Sequence, residues 1–217
     1  MADRGHERIA TLDIETTHFK PARGETVSIG VGVHDRGSAS NEASYELYHR
    51  NSENDESDII EEALGRFDEL GADALVTYNG REFDLPFLND RLQLLGIDPI
   101  NLKIDSPETH VDLYENRKRD APRHKKWPSL EECLASYGFD EPVTIWEGAP
   151  VTNARFGKEL GPSYLESVVN GEAARNESLT EVIGHYLTTD LEANIALYYA
   201  DIGERFEPAY LGTPGEF

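Results

Sequence analysis

Three stretches of the chain carry carboxylates where only a cation or a set of hydrogen-bond donors makes them comfortable. In Leu12-Asp13-Ile14-Glu15-Thr16 the side chains alternate along an expected strand, so Ala10, Leu12 and Ile14 share one face while Asp13 and Glu15 share the other. Two carboxylates on one strand face repel each other unless a divalent cation lies between them. Tyr78-Asn79-Gly80-Arg81-Glu82-Phe83-Asp84-Leu85-Pro86-Phe87-Leu88 places a third carboxylate, Asp84, at the mouth of an expected helix. Far downstream, Leu179, Val182, Ile183, Tyr186, Leu187, Asp190, Leu191, Asn194, Ile195 and Tyr198 recur at the spacing of a core-facing helical stripe. Asp190 therefore points inward, where an unpaired carboxylate is strongly disfavoured. Oxygen-rich sites of this kind hold hard divalent cations and suit phosphodiester hydrolysis.

Each of these residues also has a plainer reading. Asp84 could simply cap the helix that Pro86 opens, Asn79-Gly80 could be a turn and nothing more, and Asp13 and Glu15 could be exposed strand residues in an acidic chain. Asp190 resists such a reading best, because its stripe is otherwise mainly apolar.

The elements that must position these groups follow from periodicity and punctuation. Strands are expected over 8–15, 26–34 and 43–49 as an antiparallel meander, a helix over about 56–70 ended by Gly71, and a short buried strand at 74–78. A helix from Leu85-Pro86 to before Gly96 and a strand at 110–113 come next. Ser129-Leu130-Glu131-Glu132 forms a capping box that opens a helix to about Tyr137, and Ser178-Leu179-Thr180-Glu181 forms another that opens the final helix, 178–201. Residues 140–161, rich in Gly and Pro, read as an irregular loop flanking the site; a helix at about 162–169 follows, and the tail beyond 201 reads as frayed.

The 217 residues, 38% of them hydrophobic, fit a single domain spanning 1–217 with its core over about 8–200. No stretch approaches the roughly 18 apolar residues of a membrane span, and the start lacks the apolar core of a signal peptide, so we expect a cytoplasmic protein with no membrane partner. Cys133, the sole cysteine, rules out an internal disulfide and a multi-thiolate zinc site. Acidic residues outnumber basic ones 42 to 20, for a net charge of −22. The acids are spread between apolar periodic segments, a pattern that resembles the salt-adapted surfaces of halophilic archaeal proteins. One stretch breaks the acidity: Arg117, Lys118, Arg119, Arg123, Lys125 and Lys126 lie within ten positions, opposed only by Asp120. This is either a solvated loop or a phosphate-contacting patch, with Trp127 beside it as a base-stacking or packing residue.

The Asp-x-Glu strand (Asp13, Glu15), the Tyr-Asn-Gly-x-x-Phe-Asp-x-Pro turn (78–86) and the Tyr-x-x-x-Asp helix (Tyr186, Asp190) together resemble the three motifs of the DEDD exonuclease superfamily, most closely the Tyr-type proofreading domains of B-family DNA polymerases and their stand-alone relatives. The resemblance implies an α/β, ribonuclease H-like fold: a mixed five-stranded sheet, its first three strands antiparallel, flanked by helices. It implies two Mg²⁺ or Mn²⁺ ions, with Asp13 bridging both, Glu15 and Asp190 completing the first site and Asp84 holding the second, and Tyr186 orienting the attacking water. It places Thr16, Asn79 and Phe83 at the substrate, beside Arg117, Lys118, Arg123, Lys125, Lys126 and Trp127 of the basic run. The implied activity is 3′→5′ exonucleolytic hydrolysis at single-stranded 3′ ends, DNA favoured. An RNA-trimming exonuclease or oligoribonuclease, or a non-catalytic nucleic-acid-binding module on the same fold, are the alternatives; the oligomeric state is open. His185-Tyr186-Leu187-Thr188-Thr189-Asp190 also fits the His-type spacing. At ~100° per residue Tyr186 lies ~40° around the helix from Asp190 and His185 ~140° away, so the Tyr type is expected if both are mid-helical.

Overall fold

The computed structural model describes residues 4–120 and 126–217. Its centre is a five-stranded mixed sheet of β1 (Arg8–Thr16), β2 (Thr26–Asp35), β3 (Ser44–His49), β4 (Ala74–Thr77) and β5 (His110–Asp112), in the order β3-β2-β1-β4-β5. β1, β2 and β3 pair antiparallel, as the meander reading expects, whereas β4 and β5 run parallel to β1. The period-2 pattern of β1 is realised literally. Ala10, Leu12 and Ile14 join the core beneath α1 (Glu56–Leu70) and α2 (Asp84–Leu94), while Ile9 packs on the opposite face.

That opposite face is covered by the last long helix. After α3 (Leu113–Asp120), α4 (Leu130–Tyr137), β6 (Thr144–Trp146), β7 (Ala149–Pro150), the single turn α5 (Asn153–Arg155), a π-helical turn (Phe156–Leu160) and α6 (Gly161–Val169), the chain enters α7 (Ala173–Ile202). A glycine lets α7 approach the sheet closely. A Cβ on Gly30, the partner of Asp13 in the β1–β2 ladder, would sit 2.7 Å from Leu191 and 2.9 Å from Leu187. Any other residue at Gly30 would hold α7 off the sheet.

Four expectations are corrected. The final helix starts at Ala173, not at Ser178; no side chain caps it, and the Thr180 hydroxyl, about two turns inside, donates to the Asn176 carbonyl (2.8 Å). From Tyr186 to Tyr199 every residue of α7 except Asp190 is buried, so this half of the helix has no solvent face instead of one core-facing stripe. The tail past 201 is not frayed. It folds over α7, where the buried Glu192 carboxylate accepts the amides of Ala209, Tyr210 and Leu211 (2.7–2.8 Å), and β8 (Gly215–Glu216) then pairs with β6. Residues 140–161 are not an irregular loop either, since they build β6, β7, α5 and the π turn. The capping box at Ser129 forms as expected: Ser129 Oγ accepts from the Glu132 amide and the Glu132 carboxylate accepts from the Ser129 amide.

Candidate metal centre

Three carboxylates meet where α7 crosses β1. One ligand oxygen each from Asp13, Glu15 and Asp190 lies within 4.8 Å of the others. The strand contributes two because its pleat puts alternate side chains on the α7 face, and the helix contributes the third because the glycine opposite Asp13 lets it settle there.

Asp84 arrives from a separate device. It is the first residue of α2, 4% exposed, and its Oδ2 is buried with no hydrogen-bond partner. It does not cap the helix, so the plainer reading of this residue is set aside; a buried, unsatisfied carboxylate oxygen is costly without a cation. The turn before it is held from β5. The Asp112 carboxylate accepts the amides of Asn79 (3.0 Å), Arg81 (3.1 Å) and Tyr114 (2.9 Å). Thr77 Oγ1 accepts the Gly80 amide and lies 2.8 Å from His110 Nε2, whose Nδ1 is 2.7 Å from Asp105. Gly80 is obligatory, as a Cβ there would fall 2.4 Å from Thr77 Oγ1, and Asn79 takes the left-handed conformation (φ 76°) that Asn tolerates. Asp112 had read only as a strand residue. Its signal was an acid closing an apolar strand immediately before a helix, the place of a capping side chain.

Among the described residues no Lys, Arg or His forms an ion pair with Asp13, Glu15, Asp84 or Asp190. Burial is the first cause that pushes all four carboxyls well above the usual carboxylate range. Mutual repulsion adds to it: Asp84 acts on Asp13, Asp13, Asp190 and Asp84 on Glu15, Asp13 and Glu131 on Asp190, and Asp112 on Asp84. Uncompensated negative charge of this kind fits divalent cations bound by hard oxygens: Asp13, Glu15 and Asp190 could hold one, and Asp84 offers a ligand for a second.

Tyr186 lies one turn before Asp190, 8% exposed, its ring stacked on Phe156 (5.9 Å) and its hydroxyl donating to Asn153 Oδ1 (2.6 Å). Burial, then Asp190, Glu15 and Asp13, keep the phenol protonated. His185 turns the other way, 2.7 Å from Thr144 Oγ1 and against the Phe217 ring.

The carboxylates open into a cleft of about 700 Å³. Of the residues expected at the substrate, Thr16, Asn79, Phe83, Lys126 and Trp127 line it. Arg117 and Lys118 do not. Arg117 is half-buried in a bidentate pair with Asp201 (2.5 and 2.7 Å), which corrects its reading as a substrate contact. Lys118 pairs with Glu82 (2.6 Å) and lies over the rings of Tyr114 (4.8 Å) and Trp127 (5.5 Å), bracing the wall from behind. The run belongs in part to α3 rather than to a loop. Arg123 and Lys125 lie outside the described residues. The cleft also includes Phe19, Tyr114, Glu131, Asn153 and Lys158, none of which the sequence reading singled out. Among the described residues no helix is long and apolar enough to cross a membrane.

The RNase H superfamily model matches residues 10–154, two thirds of the chain, including Asp13, Glu15 and Asp84 but stopping before α7. No curated protein matches the chain. Among solved structures, a family B DNA polymerase from the hyperthermophilic archaeon Pyrobaculum calidifontis is similar over 91% of this chain, at 19% identity and a TM-score of 0.50. This chain covers 30% of that polymerase. A product-bound exonuclease I is similar over 88% of this chain and 42% of its own, at 16% identity and a TM-score of 0.46. At 19% identity the polymerase likeness is one of fold, and it agrees with the mixed five-stranded sheet flanked by helices. By the family match over most of its sheet and two of its motifs, the chain belongs to the RNase H superfamily.

Proposed function

We propose that this protein is a divalent-cation-dependent 3′→5′ exonuclease that removes nucleotides from single-stranded ends, with DNA as the favoured substrate. The observation that carries the reading is the convergence of Asp13, Glu15 and Asp190 within 4.8 Å, beside the unsatisfied Asp84 oxygen, at the floor of an open cleft. Asp13, Glu15 and Asp190 would hold one Mg²⁺ or Mn²⁺, and Asp84, with Asp13 shared, a second. Bound there, the cations supply the Lewis acidity that phosphodiester hydrolysis requires.

The chain's own residues do the rest. Asn79, Phe83 and Thr16 border the floor of the cleft and would seat the terminal nucleotide. Tyr186 cannot serve as a base, because its phenol stays protonated well past neutral pH. It serves instead as a hydrogen-bond donor that would orient the attacking water, exchanging Asn153 Oδ1 for that water when substrate arrives. His185, engaged with Thr144 away from the carboxylates, has no part in this reading.

The test is digestion of 5′- and 3′-labelled DNA and RNA strands in Mg²⁺, Mn²⁺ or EDTA. Stepwise shortening from the 3′ end, on DNA faster than RNA and abolished by EDTA, is the expected result. Loss of a 5′ label as the first product, or activity that persists in EDTA, would overturn the reading.

A further inference from the structure

In a chain of net charge −22, a cation without a carboxylate partner stands out, and the described lysines divide cleanly. Lys103 pairs with Asp68 and Lys118 with Glu82. Lys20, Lys126 and Lys158 have no carboxylate partner among the described residues, and all three are exposed. Lys126 and Lys158 line the metal-centre cleft, while Lys20 lies over the ring of Phe19, which also lines it. Two of the three unneutralised lysines thus line the cleft, and neither neutralised one does.

Lys158 is the one whose setting is built most firmly. It belongs to the π turn Phe156–Leu160, a helical form that recurs where a chain is bent to serve a site. Three contacts hold this turn and α5 just before it against the metal centre. Asn153 accepts from the Tyr186 hydroxyl, Phe156 stacks on the Tyr186 ring, and Gly157 lies so close to the end of β1 that a Cβ would sit 3.1 Å from the Thr17 carbonyl. From outside, the Arg155 guanidinium donates to the Trp146 and Ala149 carbonyls (2.7 and 2.5 Å) and pairs with Glu159, leaving Lys158 as the cation of the turn that lines the cleft. Lys158 stands at the border, since it also lines a second, more open concavity with Glu147, Glu159 and Glu166, whose carboxylates would repel a polyanion on that side.

We infer that the Asn153–Leu160 turn is a wall of the substrate groove and that Lys158 binds a backbone phosphate of the single strand entering the metal centre. The inference rests on the nuclease reading and extends it to a residue no motif marks. The turn that carries it is anchored at both ends and the ammonium has no carboxylate to give up, so binding a phosphate would cost no partner exchange and would release a counterion.

The experiment measures anisotropy of a 5′-fluorescein single-stranded DNA oligonucleotide with 3′-terminal phosphorothioate linkages, in Mg²⁺, against wild type, Lys158→Gln, Lys158→Arg and Lys103→Gln. Lys103→Gln makes the same change in net charge away from the cleft. Lys158→Gln should weaken binding about three- to tenfold near 0.1 M salt and reduce the salt slope by ~0.7, while Lys158→Arg and Lys103→Gln stay near wild type. Equal, small effects of Lys158→Gln and Lys103→Gln would overturn the inference and leave the nuclease reading standing, provided wild type shortens an unmodified strand. Wild type that neither binds the probe nor shortens that strand would overturn both.

Discussion

At the residue scale, the four acids are defined less by their neighbours in sequence than by what they lack. Asp13, Glu15, Asp84 and Asp190 share one region without a cationic partner among the described residues, and each carboxyl is pushed above its ordinary range by burial first and by neighbouring carboxylates next, which for Asp84 means Asp112. Asp13→Ala should leave the circular dichroism spectrum native and cut cleavage by on the order of 10³, the loss of ~4 kcal/mol of transition-state stabilisation. Near-normal turnover by the folded variant would sink the metal-centre model. Tyr186→Phe should lower kcat by about tenfold or more while His185→Ala changes it less, since only Tyr186 shares the carboxylate side of α7. The opposite ranking on one labelled strand would move catalysis to His185. The same carboxyls set the pH dependence of the metal-free protein. Their folded values lie above the unfolded values near 4, so the folded state binds more protons and stability falls as pH rises from about 4 through the folded range. In EDTA the Tm should therefore drop between about pH 5 and pH 8; Asp84→Asn should flatten the drop, and Mn²⁺ should raise the wild-type Tm more than the variant's. A wild-type Tm in EDTA that climbs across that interval would contradict the electrostatic account.

At the scale of elements, the basic run shows how local composition misassigns a role. Six cations in ten positions invite a phosphate-binding reading, yet α3 turns Arg117 inward onto Asp201 and leans Lys118 across Tyr114 and Trp127. Arg117→Ala removes the bidentate cation from Asp201, which keeps the Tyr137 hydroxyl as a donor, and should cost about 3 kcal/mol in urea unfolding, with no specific loss of strand affinity in the protein that remains folded. A stable Arg117→Ala protein with a selective rise in KM would restore the substrate reading. α2, by contrast, behaves as its sequence predicts. Pro86 in the first turn starts the helix, and Gly80 lets the chain pass close to Thr77, delivering Asp84 to the floor of the cleft.

For the whole molecule, a net charge of −22 opposes both compaction and the approach of a polyanion. Nucleic-acid affinity ordinarily weakens with salt through counterion release. Here long-range repulsion is the larger obstacle, and at ~1 M salt the screening length falls to about 3 Å, which removes it while sparing close contacts at the metal centre. Folding and cleavage should both increase from low salt toward molar KCl at fixed Mg²⁺ or Mn²⁺. Circular dichroism and cleavage rate measured across that range decide it: a protein already folded at low salt whose activity falls monotonically would refute the prediction.

The sequence by itself determined the sheet and the acids. Period-2 and period-3.6 patterns are written by burial, so β1 to β5, α1, α2 and the two faces of β1 are readable without coordinates, and so are the spacings of Asp13, Glu15, Asp84, Tyr186 and Asp190. Periodicity failed where burial is not one-sided. α7 is buried all round over its second half, because the sheet covers one face and the returning tail, held on Glu192, covers another. That half of the helix carries no stripe, and at the other end the Ser178-to-Glu181 pattern mimics a capping box although the helix already begins at Ala173. Only the tertiary structure decided that Gly30 admits α7 to the sheet, that Asp112 clamps the Asn79–Arg81 turn, that Arg117 is spent on Asp201, and that the π turn lays Lys158 along the cleft. Each of these depends on two segments distant in sequence meeting in space. Local residue type and spacing record which side of an element faces the core, but they do not record which partner is waiting there.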